Sequence, residues 1–175
     1  MQLNLHESIH AMMIRPSARI PLVLAFLTVT LLGASIARAE DTLVWISKAN
    51  GSLVTLAYGP VDTTKAPLFL LSCFNGMDIA VLDVHQEIAG GTSGDKLAIE
   101  LSTGAVTAPL MGETAHDDAS GVTFAEASDI KVKPVLAVLR EKGPVTVRMG
   151  DATATLAEHG RAEAVESFSQ DCTLQ

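Results

Sequence analysis

The sequence predicts an α+β fold that is mainly β: an antiparallel sandwich or open barrel of about nine strands with two helices, the C-terminal helix packed on the sheet. Three observations lead there. Turn dipeptides between runs of alternating apolar residues recur at Asn50-Gly51, Asn75-Gly76, Thr103-Gly104 and Gly150-Asp151, and that combination is the strongest short-range hairpin signal. Helical spacing is confined to two stretches after residue 130. The two cysteines, Cys73 and Cys172, fall on a mid-chain hairpin and at the end of the second helical stretch.

Composition bounds the rest. A chain of 175 residues that is 48% hydrophobic and 18% charged is too apolar for disorder and long enough for one small domain. Twelve Lys and Arg against 20 Asp and Glu give a formal charge of -8, which argues against nucleic acid or an anionic membrane as the main partner.

Residues 1–39 read as a secretory signal peptide. Arg15 and Arg19 precede an apolar run of 13 residues, Ile20 to Leu32, shorter than the roughly 20 needed to span a bilayer. Small residues at Ala37 and Ala39 suit a signal peptidase, and cleavage is expected after Ala39. Translation from Met12 or Met13 would give a signal of ordinary length. Residues 40–175 would then form a single exported domain, periplasmic or secreted, with no membrane span after cleavage. The leader carries three basic residues and one acidic residue, so the exported domain is more acidic than the whole chain.

Around Asn50-Gly51, Trp45 is expected to face Leu56 and Leu43 to face Tyr58. The Asn75-Gly76 hairpin carries Leu70, Phe74, Met77, Ile79 and Val81 on one face and Phe69, Leu71, Cys73, Ala80 and Leu82 on the other. Both faces want cover, and a sheet on one side with a helix on the other would supply it. Around Thr103-Gly104 the expected pairs are Leu101 with Val106, Ile99 with Ala108 and Leu97 with Leu110. Val122 to Glu126 reads as a further strand, and Met111 to Gly121 as a polar loop. A helix is expected from Pro134 to Lys142, with Val135, Leu136, Val138 and Leu139 inward and Gly143 as its stop. Around Gly150-Asp151, Met149, Val147 and Val145 pair with Ala152, Ala154 and Leu156. The last helix presents Val165, Phe168 and Cys172 on one face, with Glu163, Glu166 and Asp171 elsewhere.

In an oxidising compartment Cys73 and Cys172 are expected to form a disulfide. Closing a loop of about 100 residues is worth roughly 4.7 kcal/mol in the chain-entropy picture. No CxxC and no poised histidine supports a reactive thiol instead.

Candidates for chemistry are few. His6-Glu7-Ser8-Ile9-His10 matches HExxH, the zinc-binding helical pattern, but it precedes the export signal and would leave with it. Asp83, His85 and Glu87 alternate and would project from one side of a strand, a spacing able to hold a metal or orient an imidazole. The same pattern also describes a strand end leaving the core. Glu113, His116, Asp117 and Asp118 supply oxygen and nitrogen donors without the ordered spacing of a calcium loop. Gly90 to Asp95 resembles a phosphate loop in composition only, and reads as a mobile hairpin connection; Ser93 lacks the spacing of a nucleophile elbow. Asn50-Gly51-Ser52 matches a glycosylation sequon, which its hairpin role explains. No cofactor is expected.

The C-terminal order of Pro134 helix, Gly150-Asp151 hairpin, Leu156-Ala157-Glu158-His159-Gly160 junction and Ala-rich helix ending at Phe168 to Cys172 is similar to that of small bacterial envelope proteins. It resembles the invasion-associated locus B family. Trp45, Cys73 and Cys172 also resemble the early Trp and two distant cysteines of periplasmic accessory proteins of type VI secretion. The likeness covers mainly the last 40 residues and those three positions, and it carries over no catalytic residue. The expected function is a non-enzymatic periplasmic protein-interaction or envelope accessory module with a partner that is basic. The alternatives are an inhibitor of a basic secreted hydrolase, or a small metal-binding or hydrolytic protein using Asp83, His85, Glu87 and His116.

Overall fold

The computed structural model describes residues 42–174. The expected signal peptide and the His6–His10 motif lie outside the described residues. The elements run β1 (Leu43–Asn50), β2 (Leu53–Pro60), β3 (Phe69–Phe74), β4 (Ile79–Val84), β5 (Lys96–Thr103), β6 (Val106–Asp117), β7 (Val122–Ser128), α1 (Val132–Arg140), β8 (Val145–Met149), β9 (Ala152–Leu156) and α2 (Arg161–Asp171). All nine strands join one antiparallel sheet in the order β1-β2-β3-β4-β7-β6-β5-β8-β9. The sheet is not closed. Trp45 in β1 nonetheless donates its indole N–H to the Ala157 carbonyl just beyond β9, at 2.7 Å. Of the two architectures expected, this is the open barrel.

Alternation decides the two faces of the sheet. Val54, Leu56 and Tyr58 of β2, Phe69, Leu71 and Cys73 of β3, Ala80, Leu82 and Val84 of β4, Ile99 and Leu101 of β5, and Val145, Val147 and Met149 of β8 are all buried on the inner face. The helices complete that core. α1 packs on β5 and β6, α2 on β1 and β2, and the helices touch each other. α1 buries Val132, Val135, Leu136, Val138 and Leu139, and α2 buries Arg161, Ala164, Val165 and Phe168. Trp45 meets Tyr58 and Phe69 with ring centroids 5.0 and 5.7 Å apart.

Three local expectations need correcting. The β1–β2 and β5–β6 hairpins pair Trp45 with Tyr58 and Leu101 with Ala108, two residues away from the expected partners. Gly51 and Gly104 take the first loop position with positive φ, as a type II′ turn requires, so Asn50 and Thr103 remain in the strands. A shift of two preserves the face of every side chain. α1 starts at Val132, two residues before Pro134, which occupies the third helical position; the first turn has no intrahelical partner for that N–H, so proline is tolerated there. Met111 to Asp117 is strand rather than loop. β6 pairs with β5 up to Glu113 and with β7 from Glu113 onward, so its polar second half gains a ladder partner.

Two tethers fix the C-terminal end. Cys73 and Cys172 are joined, with Cα atoms 5.9 Å apart. Beside them Asn75 donates to the Asp171 carbonyl at 2.9 Å and accepts from the Thr173 backbone N–H at 2.9 Å and its hydroxyl at 3.0 Å. The disulfide is consistent with an oxidising, extracytoplasmic location. Among the described residues no helix is long and apolar enough to cross a membrane.

Arg161 is the buried charge of the fold, 1% exposed. Its guanidinium donates to the carbonyls of Leu139 and Gly143, each at 2.8 Å, and to that of Glu141. These groups lie at or just past the end of α1, where carbonyls lack intrahelical partners and the helix dipole favours a cation. The same cation opens α2, where the dipole disfavours it. Three hydrogen bonds to oxygen decide the balance, and α2 is thereby riveted to the end of α1.

Candidate functional site

One sheet face lies under the helices; the other carries no helix and no further strand, and over β1 and β2 the connecting segment through Thr63, Lys65 and Pro67 borders a groove lined by Val44, Ile46 and Ala57. The ribbon β3–β4 was expected to be covered on both sides, but every strand is used in the single sheet and none remains for a second. Leu70, Phe74 and Val81 are therefore only half-buried, Ile79 is 36% exposed and Met77 at the hairpin tip 62%. Val44 and Ile46 of β1 and Ala57 of β2 are half-buried on the same face.

Cross-strand pairing arranges this outer face in rows. One row runs Ile46, Ala57, Leu70, Asp83, Glu126, Glu113, Lys96, each residue the direct partner of the next. Its β1–β3 half is aliphatic and its β4–β6 half acidic. At the far end Lys96 neutralises Glu113 at 2.7 Å. Glu126 accepts from the Ser128 hydroxyl at 3.3 Å. Asp83 has no such help: Oδ1 is buried without a hydrogen-bond partner. Burial, then the neighbouring Glu126 carboxylate, pushes its pKa up to about 6.

The other sequence candidates do not converge on one site. β4 ends at Val84, so His85 and Glu87 lie beyond the strand on which they were expected to alternate. His85 holds one more rung, its backbone N–H donating to Leu68, while its ring stacks on Phe124 at 4.2 Å and 18°. Burial lowers its pKa, against the opposing pull of Asp117. Glu87 is exposed. His116 is in β6, its Nδ1 3.2 Å from the Thr123 hydroxyl and its Nε2 3.9 Å from Asp118. Asp117 is held below the usual carboxylate range by hydrogen bonds from the Ser120 hydroxyl and the Ala119 N–H. Among the described residues no group of three or more His, Cys, Asp or Glu side chains gathers to hold a metal ion.

The glycine-rich segment is not a hairpin connection, since β4 and β5 are not neighbours. It crosses to β6 and is fastened there: Gly94 N–H donates to the Thr114 carbonyl at 2.7 Å, Asp95 N–H to the Thr114 hydroxyl at 3.2 Å, and the Thr114 hydroxyl to the Thr92 carbonyl.

Comparison of the chain with protein-family models, with curated proteins and with solved structures finds no match. The outer row is the feature that sequence reasoning missed. Asp83 was visible, but its neighbour Glu126 depends on β7 inserting beside β4, a non-local pairing with no local sequence signal.

Proposed function

We propose that the chain is a non-enzymatic interaction module of the periplasm or secreted fraction, binding a basic envelope or secreted protein. The observation that carries this reading is the outer face, on which no helix or second sheet packs and where aliphatic side chains of β1–β4 stand half-exposed. Contiguous apolar surface of this kind marks interaction sites more often than it occurs at random. Three further points support it: the disulfide that fits an oxidising compartment, the net charge of -8 that would steer a basic partner, and the resemblance to envelope accessory proteins. Inhibition of a basic secreted hydrolase is a narrower form of the same reading.

The test is cross-linking of the tagged full chain in its own cell envelope, followed by capture at low and high salt. The expected result is one extracytoplasmic partner whose recovery falls as salt rises, because charge complementarity sets the encounter. Recovery of no partner, or turnover of substrate by the purified protein alone, overturns the reading.

A further inference from the structure

We propose that Asn50 is a site of spontaneous modification, converting to aspartate and isoaspartate as the protein ages, and that the C-terminal tether guards Asn75 against the same reaction. The inference is independent of the interaction reading above. It gives the tether a chemical role besides its mechanical one.

Residues 42–174 contain two asparagines, and each is followed by glycine, in Asn50-Gly51 and Asn75-Gly76. That order is the reactive one. The backbone nitrogen of the following residue attacks the side-chain amide carbon Cγ, and glycine has no Cβ to obstruct the approach. A C–N bond forms to Cγ, the Cγ–Nδ2 bond breaks, and Nδ2 departs as ammonia with the proton of the glycine N–H. Water then opens the cyclic imide, giving aspartate where it adds at Cγ and isoaspartate where it adds at the main-chain carbonyl carbon. No electrons are exchanged and no cofactor takes part.

Asn50 is open to this chemistry. It holds the last rung of the β1–β2 hairpin, opposite Leu53, and is exposed. Among the described residues its side-chain amide has no hydrogen-bond partner. A Cβ built on Gly51 would meet nothing within 4 Å, so the amide has room to swing over the Gly51 nitrogen. Opening one terminal rung suffices, and such ends fray at little cost.

Asn75 sits at the neighbouring tip, its backbone N–H bonded to the Ser52 carbonyl at 2.9 Å. Here the amide is held at both ends: Nδ2 donates to the Asp171 carbonyl at 2.9 Å, and Oδ1 accepts from the Thr173 N–H and hydroxyl at 2.9 and 3.0 Å. A backbone donor and a backbone acceptor leave the amide one orientation. The Gly76 nitrogen reaches Cγ only after these bonds break, and the adjacent Cys73–Cys172 bridge keeps their partners in place to re-form them. Reaction at this site would have a lasting effect. A carboxylate at position 75 has no hydrogen to offer the Asp171 carbonyl, so that bond cannot be restored and two oxygens face each other.

The experiment incubates the full, disulfide-closed chain at neutral and mildly alkaline pH. Both sites are followed by peptide mass mapping, with isoaspartyl methyltransferase labelling to identify the isomer. The expected outcome is progressive conversion at Asn50 and conversion at Asn75 about tenfold slower or more, the ratio set by having to lose one or two net hydrogen bonds first. Two variants release the guard while keeping the bridge: Thr173→Val removes the hydroxyl bond, and Thr173→Pro removes the N–H bond as well. Cys172 is already extended, at φ -80° and ψ 115°, as a residue before proline must be. Conversion at Asn75 should rise about fivefold in Thr173→Val and further in Thr173→Pro, with the Asn50 rate unchanged. Retention of the bridge and Trp45 fluorescence check the fold of each. Equal rates at the two sites in the native chain overturn the guard, as does an Asn75 rate that stays the same in Thr173→Val and Thr173→Pro, or one that rises only in step with Asn50 in both. An Asn50 left intact while the isolated peptide 46–55 converts fully overturns the modification site.

Discussion

Replacing Arg161 by methionine should cost more than any surface substitution in the chain. The side chain makes three hydrogen bonds, two of them at 2.8 Å, to carbonyls at the end of α1. Hydrogen bonds to a charged group contribute about 1.5–3 kcal/mol each, a gross of roughly 5–9 kcal/mol. Relief from burying the guanidinium returns several kcal/mol. The net loss works out at about 3 kcal/mol, mostly because three carbonyls are left without donors. For a domain of this size that corresponds to a fall in Tm of roughly 10 °C. Urea unfolding followed by the fluorescence of Trp45, the single tryptophan, reads it directly. The midpoint should drop with an unchanged slope. Arg161→Lys should recover less than half of the loss, because one ammonium cannot span carbonyls now served by both Nε and Nη2. A cost for Arg161→Met below about 1 kcal/mol, or full recovery by lysine, would refute the riveting role.

Other perturbations test other parts of the fold. Changing both Cys73 and Cys172 to alanine removes a bridge across 99 positions and should lower stability by about 4 kcal/mol, seen in the same urea titration. Asp83 has a folded pKa near 6 against an ordinary 3.8, so the folded state holds the proton more tightly and stability should fall as pH rises from about 4 to 6. Asp83→Asn should abolish that slope and stabilise the protein at pH 7 by about 1–2 kcal/mol after allowance for partial exposure; an unchanged slope would count against the burial of this carboxyl. His85 works in the opposite direction, its lowered pKa making stability decline as pH falls below 6.5; His85→Phe, which can keep the stack on Phe124, should remove this acid-side loss in a pH series of thermal melts. Gly112→Ala would place a Cβ 2.3 Å from the Glu126 carbonyl and 2.8 Å from Ile99, so β6 or β7 must shift, at about 1–3 kcal/mol in a thermal melt.

Local chemistry made much of this fold legible in the sequence. The hairpins, the inward residues of both helices and the Cys73–Cys172 bridge follow from turn residues, alternation and compartment. The two hairpin registers erred by an even number because the glycine, not the residue before it, opens the loop; the buried faces therefore survived the error. What could not be read was non-local. Nothing in Val122–Ser128 announces that it slots between β4 and β6, so Asp83 was grouped with His85 and Glu87 along the chain instead of with Glu126 across the sheet. The polar run Met111 to Asp117 lacks the composition of a strand and becomes one through a change of partner at Glu113. The burial of Arg161 has no local signal either, because its three acceptors lie 18 to 22 residues earlier.

The long separation between the bridged sulfurs also constrains the order of assembly. A polypeptide delivered from its N-terminus presents Cys73 unpaired throughout the arrival of the next 99 residues. The first strand pairs at once with β2, but the Trp45 indole N–H waits for the Ala157 carbonyl until late. Closure of the bridge is accordingly the last covalent step of assembly, and any oxidant that meets the chain before residue 172 has arrived finds a lone thiol, open to mixed disulfides, in place of a ready pair.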